Sequence, residues 1–266
     1  NRIDAWLSAD APSSPPPLRS ARIVQPAEFP SGFWRQVDYT LQHPEEISES
    51  LRRDDQPWKI VRIMFVISLF MAAVYGGVMG ATNVLQGSEM AMGPKLALIG
   101  VTAVKVPVLF LLTLVIVVFP IYVSNAFVGT RLSFGQITGF LVTACAVTTV
   151  ALASMATVSF FFSLTSTSYH FIKLLHVVMF AYAGLTGLVY LNHALGDAAK
   201  LLGKPAPGGV FLIWLTLYVF VGTQLAWVLR PFVGSPGEPF QLFRPRTGNF
   251  YESVLQSIGA FLKSMD

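Results

Sequence analysis

An ionisable side chain inside an apolar stretch is the first feature that could do chemistry, and here it is Lys105. It opens the stretch 105–136, which also contains Pro107, Pro120 and a polar turn with Arg131. Burying a charge in hydrocarbon is costly, so an intramembrane lysine indicates a functional site. In the other interpretation the lysine reaches the lipid headgroups, and Lys105 and Arg131 anchor the two ends of one spanning helix.

Histidine ligands are the second chemical possibility, because His170, His176 and His193 lie in or beside one apolar segment. A haem with two axial histidines needs them on facing helices, and no other apolar segment supplies one. Six residues of helix turn a side chain by about 240°, so His170 and His176 do not share a face. His176 alone therefore either binds a pigment or shared haem, or hydrogen-bonds to a neighbouring helix.

Common catalytic motifs are missing from the sequence. It contains no glycine-rich phosphate loop, no HExxH and no GxSxG, which are the patterns of several large enzyme classes. The one cysteine, Cys145, lies within an apolar run, where thiol catalysis is not expected. The apolar segments also lack carboxylates, which argues against ion-coupled transport. We predict a protein that is not an enzyme and has no metal site.

Five long apolar segments have to position these side chains. The chain is 53% hydrophobic and only 12% charged, about half the charge of an average soluble domain. Roughly 20 apolar residues cross a bilayer as a helix, and continuous runs argue against a β-barrel. The predicted fold class is all-α, a polytopic membrane helix bundle of about five transmembrane helices with amphipathic interfacial helices at both ends. The five segments cover about 63–82, 96–126, 134–162, 171–195 and 210–229.

The first predicted region, residues 1–58, is a polar, proline-rich N-terminal arm with short amphipathic helices. We expect Ser31 to cap the first of these helices and Pro44 to begin the second. Trp34 and Trp58, together with nearby basic residues, form the pattern of an aromatic belt at a membrane interface.

The other predicted regions are a five-helix transmembrane domain over 59–230 and a C-terminal link with an amphipathic surface helix over 231–266. Asn249 is positioned to cap this last helix, which is too polar to span a membrane. We expect it to lie on the membrane surface or on a partner. Its predicted apolar face contains Phe250, Tyr251, Val254, Leu255, Ile258, Phe261 and Leu262, with Ser253, Gln256, Ser257 and Lys263 opposite.

Small residues recur at a spacing of four, which predicts close helix–helix contacts in a bilayer. The sets are Ala72, Gly76 and Gly80; Gly135 and Gly139; Ala183 and Gly187; and Gly222 and Ala226.

The net charge of +4 is modest, and the basic residues sit mostly at the ends of apolar segments. This pattern fits lipid headgroups rather than nucleic acid. A basic cluster precedes the first segment, which favours a cytoplasmic N-terminus in the inner or plasma membrane. Five crossings then place the C-terminus outside.

The turn Leu132-Ser133-Phe134-Gly135-Gln136 resembles one that precedes the third helix in several Yip1-type membrane proteins. These proteins have a polar N-terminal tail and about five membrane helices. The resemblance covers the five-helix part and implies a non-enzymatic role, so no catalytic residue is transferred. The prolines of the second segment and the long C-terminal extension depart from the pattern.

The sequence leaves three functions open. The first is a non-enzymatic subunit that scaffolds or stabilises a larger membrane complex through the two ends of the chain. The second is a transporter or channel component that uses Lys105, Pro107 and Pro120. The third is an accessory subunit that holds a pigment or haem through His176. Expected partners are the lipid bilayer and other membrane subunits, with lipid as the expected ligand and no dedicated cofactor.

Overall fold

The computed structural model describes residues 30–53, 57–85, 92–128, 132–166, 168–201, 208–230, 232, 241–243 and 248–263. Every regular element in these ranges is an α-helix, which confirms the all-α prediction for this part of the chain. Arg131, one of the predicted anchor residues, lies outside the described residues. The helices are α1 (Phe33–Gln42), α2 (Pro44–Arg53), α3 (Trp58–Leu85), α4 (Met92–Val128), α5 (Phe134–Ser154), α6 (Ala156–Thr165), α7 (Tyr169–Leu201), α8 (Gly208–Leu229) and α9 (Phe250–Lys263).

Within the described ranges, four helical stretches are long and apolar enough to cross a membrane, so the chain is a multi-pass membrane protein. They are Trp58–Thr82, Met92–Asn125, Phe134–Thr165 and Tyr169–Gly196. The second runs through both internal prolines without ending. The third combines α5 and α6 across a one-residue turn at Met155, whose backbone stays near helical geometry at φ −78° and ψ −6°.

Helix α3 lies at the centre of the bundle and packs closely on α4 and α5. Its glycines make the close approach to α4 possible. A Cβ atom at Gly76 would lie 2.5 Å from the carbonyl oxygen of Thr102, and one at Gly80 would lie 2.8 Å from Cα of Ile99. Gly187 of α7 is equally close to Thr148 of α5. These positions are helix contacts, as their spacing predicts.

Helix α2 closes the end of the bundle where α5 begins and α7 ends. Its Leu51 is fully buried and fills the space left by Gly139 of α5. The side-chain amide of Gln136 donates from Nε2 to the carbonyl of Arg52 at 2.7 Å. Gln136 also completes a capping box with Ser133, which explains in physical terms the serine and glutamine of this turn.

Helix α1 begins differently from the sequence prediction. Its N-cap is Gly32, at a φ of 109°, and no side chain caps the helix. The prediction that Ser31 caps it was wrong, because a backbone with positive φ at the cap suits glycine rather than serine. Helix α2 does begin at Pro44, as predicted.

Helix α9 lies across the opposite end of the bundle, where α7 begins and α8 ends; we call this the α9 end. The ammonium of Lys173 donates to Oγ of Ser253 at 2.7 Å. The hydroxyls of Thr223 and Tyr251 form a hydrogen bond at 3.2 Å. Asn249 accepts from the amide of Glu252 at 2.9 Å, which confirms the predicted cap.

Ser257 departs most clearly from the predicted faces of α9. It was assigned to the polar side but is only 1% exposed. Its hydroxyl donates to the carbonyl of Ser253 at 2.8 Å, and a serine satisfied within its own helix is buried at little cost.

Candidate intramembrane binding site

A cavity of about 650 Å³ lies between α7 and α8. These helices are consecutive in the chain, yet they are not among the closely packed helix pairs of the described residues. Each packs instead on another helix, α7 on α5 and α8 on α4. Leu109, Phe110 and Thr113 of α4 form the back of the cavity, and α9 roofs its end. Cavities of this size hold small molecules in many proteins.

Two glycines contribute to the open space, one on each wall. A Cβ atom at Gly184 of α7 would meet nothing within 4 Å, and one at Gly222 of α8 would meet only Thr113, at 3.9 Å. Gly222 and Ala226 line the cavity. Their spacing is that of a contact motif, yet a Cβ atom at Gly222 would make only ordinary contact with Thr113 of α4, so this pair is not a site of close backbone approach.

The lining changes in polarity along the membrane normal. On α7 it extends from Tyr169 to Leu188, a rise of about 28 Å at 1.5 Å per residue, close to the thickness of the hydrocarbon core. Polar and charged side chains gather at the α9 end: Tyr169, Lys173, His176, Trp227, Arg230 and Ser253. The far part is mostly apolar, with Leu185, Leu188, Leu215 and Val219, and it also contains Thr148 and Tyr218.

His176 lines the cavity and is only 2% exposed. Its Nδ1 lies 2.7 Å from the hydroxyl of Tyr75 on α3, while its Nε2 has no hydrogen-bond partner among the described residues. The tyrosine hydroxyl also lies 3.4 Å from the sulfur of Met179. Imidazole nitrogen accepts far better than a thioether. We therefore assign the hydroxyl proton to Nδ1 and a proton to Nε2, which makes Nε2 an unsatisfied donor.

A pigment or haem at His176 would need the other tautomer, with Nδ1 donating to Tyr75 and Nε2 free to bind a metal. The described residues contain no cluster of three potential metal ligands. An absorption spectrum of the intact preparation tests this alternative, since a colourless protein holds no metallated pigment.

Two cations stand at the α9 end of the cavity. Lys173 comes one helical turn before His176 on α7, and Arg230 directly follows α8. The Arg230 guanidinium stacks on the Trp227 ring, with its central carbon 3.4 Å from the ring centroid. No carboxylate belongs to the described lining, so the charged side chains that line this end in the described residues, Lys173 and Arg230, are both positive.

Lys105 lies outside the cavity and holds the segment that leads to α9. It is 5% exposed. Its ammonium donates to the carbonyl of Leu242 and lies 4.9 Å from the ring centroid of Phe243. One turn earlier, Thr102 contacts the carbonyl of Phe232 at 3.1 Å. Leu242 and Phe243 are thus protein partners of this lysine among the described residues.

The other predicted interface residues fall into two groups. Trp34 and Trp58 are exposed, and Trp34 packs edge-on against Phe70 of α3. On α9, Phe250 lines the cavity and Phe261 contacts Phe171 with ring centroids 5.9 Å apart. The remaining three, Tyr251, Leu255 and Ile258, are exposed.

The sequence alone did not identify Tyr75, Lys173 or Arg230 as members of one site. A usable signal existed for the two cations: the start of the fourth segment and the end of the fifth meet at the same membrane face. Tyr75 carried no such signal, because its partner lies 101 residues away.

No family model matches the chain, and no curated protein or solved structure shows a significant match to it. The resemblance of the Ser133–Gln136 turn to Yip1-type proteins therefore stays a prediction.

Proposed function

We propose that the chain is a non-enzymatic membrane protein with five transmembrane helices, which binds a lipid-like molecule between α7 and α8. The observation that carries this proposal is that two consecutive helices form opposite walls of an apolar cavity instead of packing together. Apolar cavities are poor sites for water, and the hydrocarbon of the bilayer adjoins both helices.

Helix α8 is the proposed fifth crossing. Its 22 residues give a length of about 33 Å, enough for the hydrocarbon core. The basic residues at the end of α2 and the start of α3 support a cytoplasmic N-terminus in the inner or plasma membrane. With five crossings the α9 end then faces outward. The supporting residues are Arg52, Arg53, Lys59 and Arg62.

Helix α9 has three stripes that fit a helix lying in the membrane interface. One faces the bundle, a second is apolar and exposed, and a third is polar; neighbouring stripes are turned by roughly 100° or more at 3.6 residues per turn. Bundle, hydrocarbon and water would each meet one stripe. The stripes are Phe250, Val254, Ser257 and Phe261; Tyr251, Leu255, Ile258 and Leu262; and Glu252, Gln256 and Lys263.

The test is to count lipid-like molecules bound per chain by native mass spectrometry after extraction in mild detergent. We expect one in the unmodified protein. Gly184→Leu and Gly222→Leu each place a side chain in the cavity and should remove it. Gly100→Leu is the matched control, because a Cβ atom there also meets nothing within 4 Å but lies outside the cavity.

Equal occupancy in Gly184→Leu and Gly100→Leu would contradict the proposal, as would an unmodified protein that retains no lipid-like molecule. Thermal unfolding of all variants in the same detergent verifies that the cavity variants remain folded.

A second candidate is a subunit that scaffolds a membrane complex, and the exposed apolar stripe of α9 favours it. Leu255 and Leu262 are 69% and 57% exposed and are open to a neighbouring protein in the membrane plane. Co-purification in mild detergent, compared between the unmodified protein and Leu255→Gln/Leu262→Gln, tests this role. A monomer without any partner would remove it.

A further inference from the structure

Electrostatics at the α9 end select the charge of the bound molecule. Lys173 and Arg230 line this end together, and helix α9 contributes no carboxylate to the lining. Its acidic residue, Glu252, is exposed and accepts from Gln256 at 3.3 Å. Anionic oxygens beside Lys and Arg form charge-assisted hydrogen bonds, whereas a cationic headgroup would meet like charge.

The position of His176 in the cavity determines which chemical group of the ligand lies next to its anionic group. Its Nε2, the protonated nitrogen in the tautomer assigned above, is buried without a partner among the described residues, and His176 comes three residues after Lys173. That spacing is a rise of about 4.5 Å along the helix. A buried donor calls for an acceptor such as oxygen. Beyond His176 the lining is mostly apolar; its polar members include Tyr218 and the hydroxyls of Thr113 and Thr148, which donate within their own helices.

The order from the α9 end inward is therefore cation, neutral donor, and then a long apolar wall. A glycerophospholipid presents its complement in the same order: phosphate, ester oxygens and acyl chains. We infer that the cavity binds one anionic glycerophospholipid, with its phosphate at Lys173 and Arg230, an ester oxygen at His176 and an acyl chain along α7 and α8. This inference rests on the proposed function and names the chemical class of its ligand.

The experiment is a competition between two lipids with identical acyl chains. Delipidated protein is incubated with vesicles of equal parts phosphatidylglycerol and phosphatidylcholine, purified again, and its bound lipids are counted by native mass spectrometry. Both lipids offer the same phosphate, but only phosphatidylcholine adds a choline cation that would meet the like charge of Lys173 and Arg230. We therefore expect phosphatidylglycerol to be favoured roughly tenfold or more.

Charge variants separate recognition from simple retention. Lys173→Gln/Arg230→Gln should bring the ratio of the two lipids close to one, while Lys173→Arg/Arg230→Lys should preserve it. Lys59→Gln removes a charge at the start of α3, at the end of the bundle opposite α9, and should leave the ratio unchanged. His176→Leu should lower the retention of both lipids alike, because both contain ester oxygens.

A further control tests whether Lys173 acts by holding α9 in place rather than by its charge. Ser253→Ala removes the hydroxyl that accepts from Lys173 but keeps the charge, so total retention falls while the ratio persists. Loss of the ratio in Ser253→Ala would attribute the preference to the docking of α9 and overturn the inference.

Three further outcomes show whether the headgroup assignment fails alone or together with the proposed function. Equal retention of both lipids, with loss of both in Gly184→Leu, overturns the headgroup assignment and leaves the cavity as a lipid site. Retention of neither lipid removes both. Complete displacement of phosphatidylglycerol by oleate would assign the site to a carboxylate and also overturn the headgroup assignment.

Discussion

Two pairs of consecutive helices in this bundle use glycine in opposite ways. Between α3 and α4, Gly76 and Gly80 bring two backbones so close that a Cβ atom has no room. Between α7 and α8, Gly184 faces open space, and a Cβ atom at Gly222 would make only ordinary contact with Thr113 of α4. The first pair is held by packing, whereas the second leaves a volume for a ligand. Small residues in a membrane helix therefore mark either a contact or a cavity, and their spacing alone does not tell which.

The largest effect is expected in the packed pair. Gly76→Ala introduces a methyl group 2.5 Å from the Thr102 carbonyl oxygen, and we expect a loss of about 3 kcal/mol in the free energy of unfolding. The matched control is Gly77→Ala on the same helix, where the new Cβ would lie 4.0 Å from that of Ala103. It should be neutral or slightly stabilising. Denaturant unfolding in one detergent measures both; similar stabilities would contradict the packing.

The hydrogen bond that joins the two regions comes next. Tyr75→Phe removes the hydroxyl from a buried imidazole, so we expect a loss of about 2 kcal/mol. In Tyr75→Phe/His176→Leu the loss should be smaller than the sum of the single variants, because the two groups satisfy each other. A double-mutant cycle by the same unfolding measurement decides this, and additive losses would show that the pair is not coupled.

Lys105→Met tests how the roof of the cavity is held. It leaves the Leu242 carbonyl without this donor, with an expected loss of about 1 kcal/mol. Hydrogen exchange should rise at 241–243 and in α9 but not in α3. Lys95→Met, on the same helix, is the control.

Flux through liposomes that contain Lys105→Met also tests a transport path along Lys105. Unchanged flux removes that alternative.

The smallest effect has the opposite sign and belongs to the open pair. Gly184→Ala adds a methyl group where no atom lies within 4 Å, so helix propensity should raise stability by up to about 1 kcal/mol. Gly187→Ala, one turn further on α7, faces Thr148 at close range and should destabilise. If both substitutions had the same sign, the contrast between packed and open glycines would be lost.

Much of the architecture follows from the sequence because hydrocarbon imposes simple requirements. Long apolar runs must be helical, which predicts α3, α4, α7 and the combined stretch α5–α6. Local signals also sufficed for the start of α2 at Pro44 and for the Asn249 cap. The Gly32 cap of α1 was missed because its backbone conformation is not visible in residue types.

The candidate site was only partly predictable. His176 and Lys105 stand out as polar residues in apolar runs, but their partners come from distant parts of the chain: Tyr75 for one, Leu242 and Phe243 for the other. The cavity depends on how far α7 and α8 separate. That distance is set by their packing on α5 and α4, which no local pattern encodes.

A density map of the protein in lipid nanodiscs tests the central claim most directly. We predict an elongated density between α7 and α8, with its bulkier end beside Lys173 and Arg230 and its tail beside Leu185 and Leu188. Direct packing of α7 on α8, or a cavity empty of density in a bilayer that contains anionic phospholipid, would contradict the account.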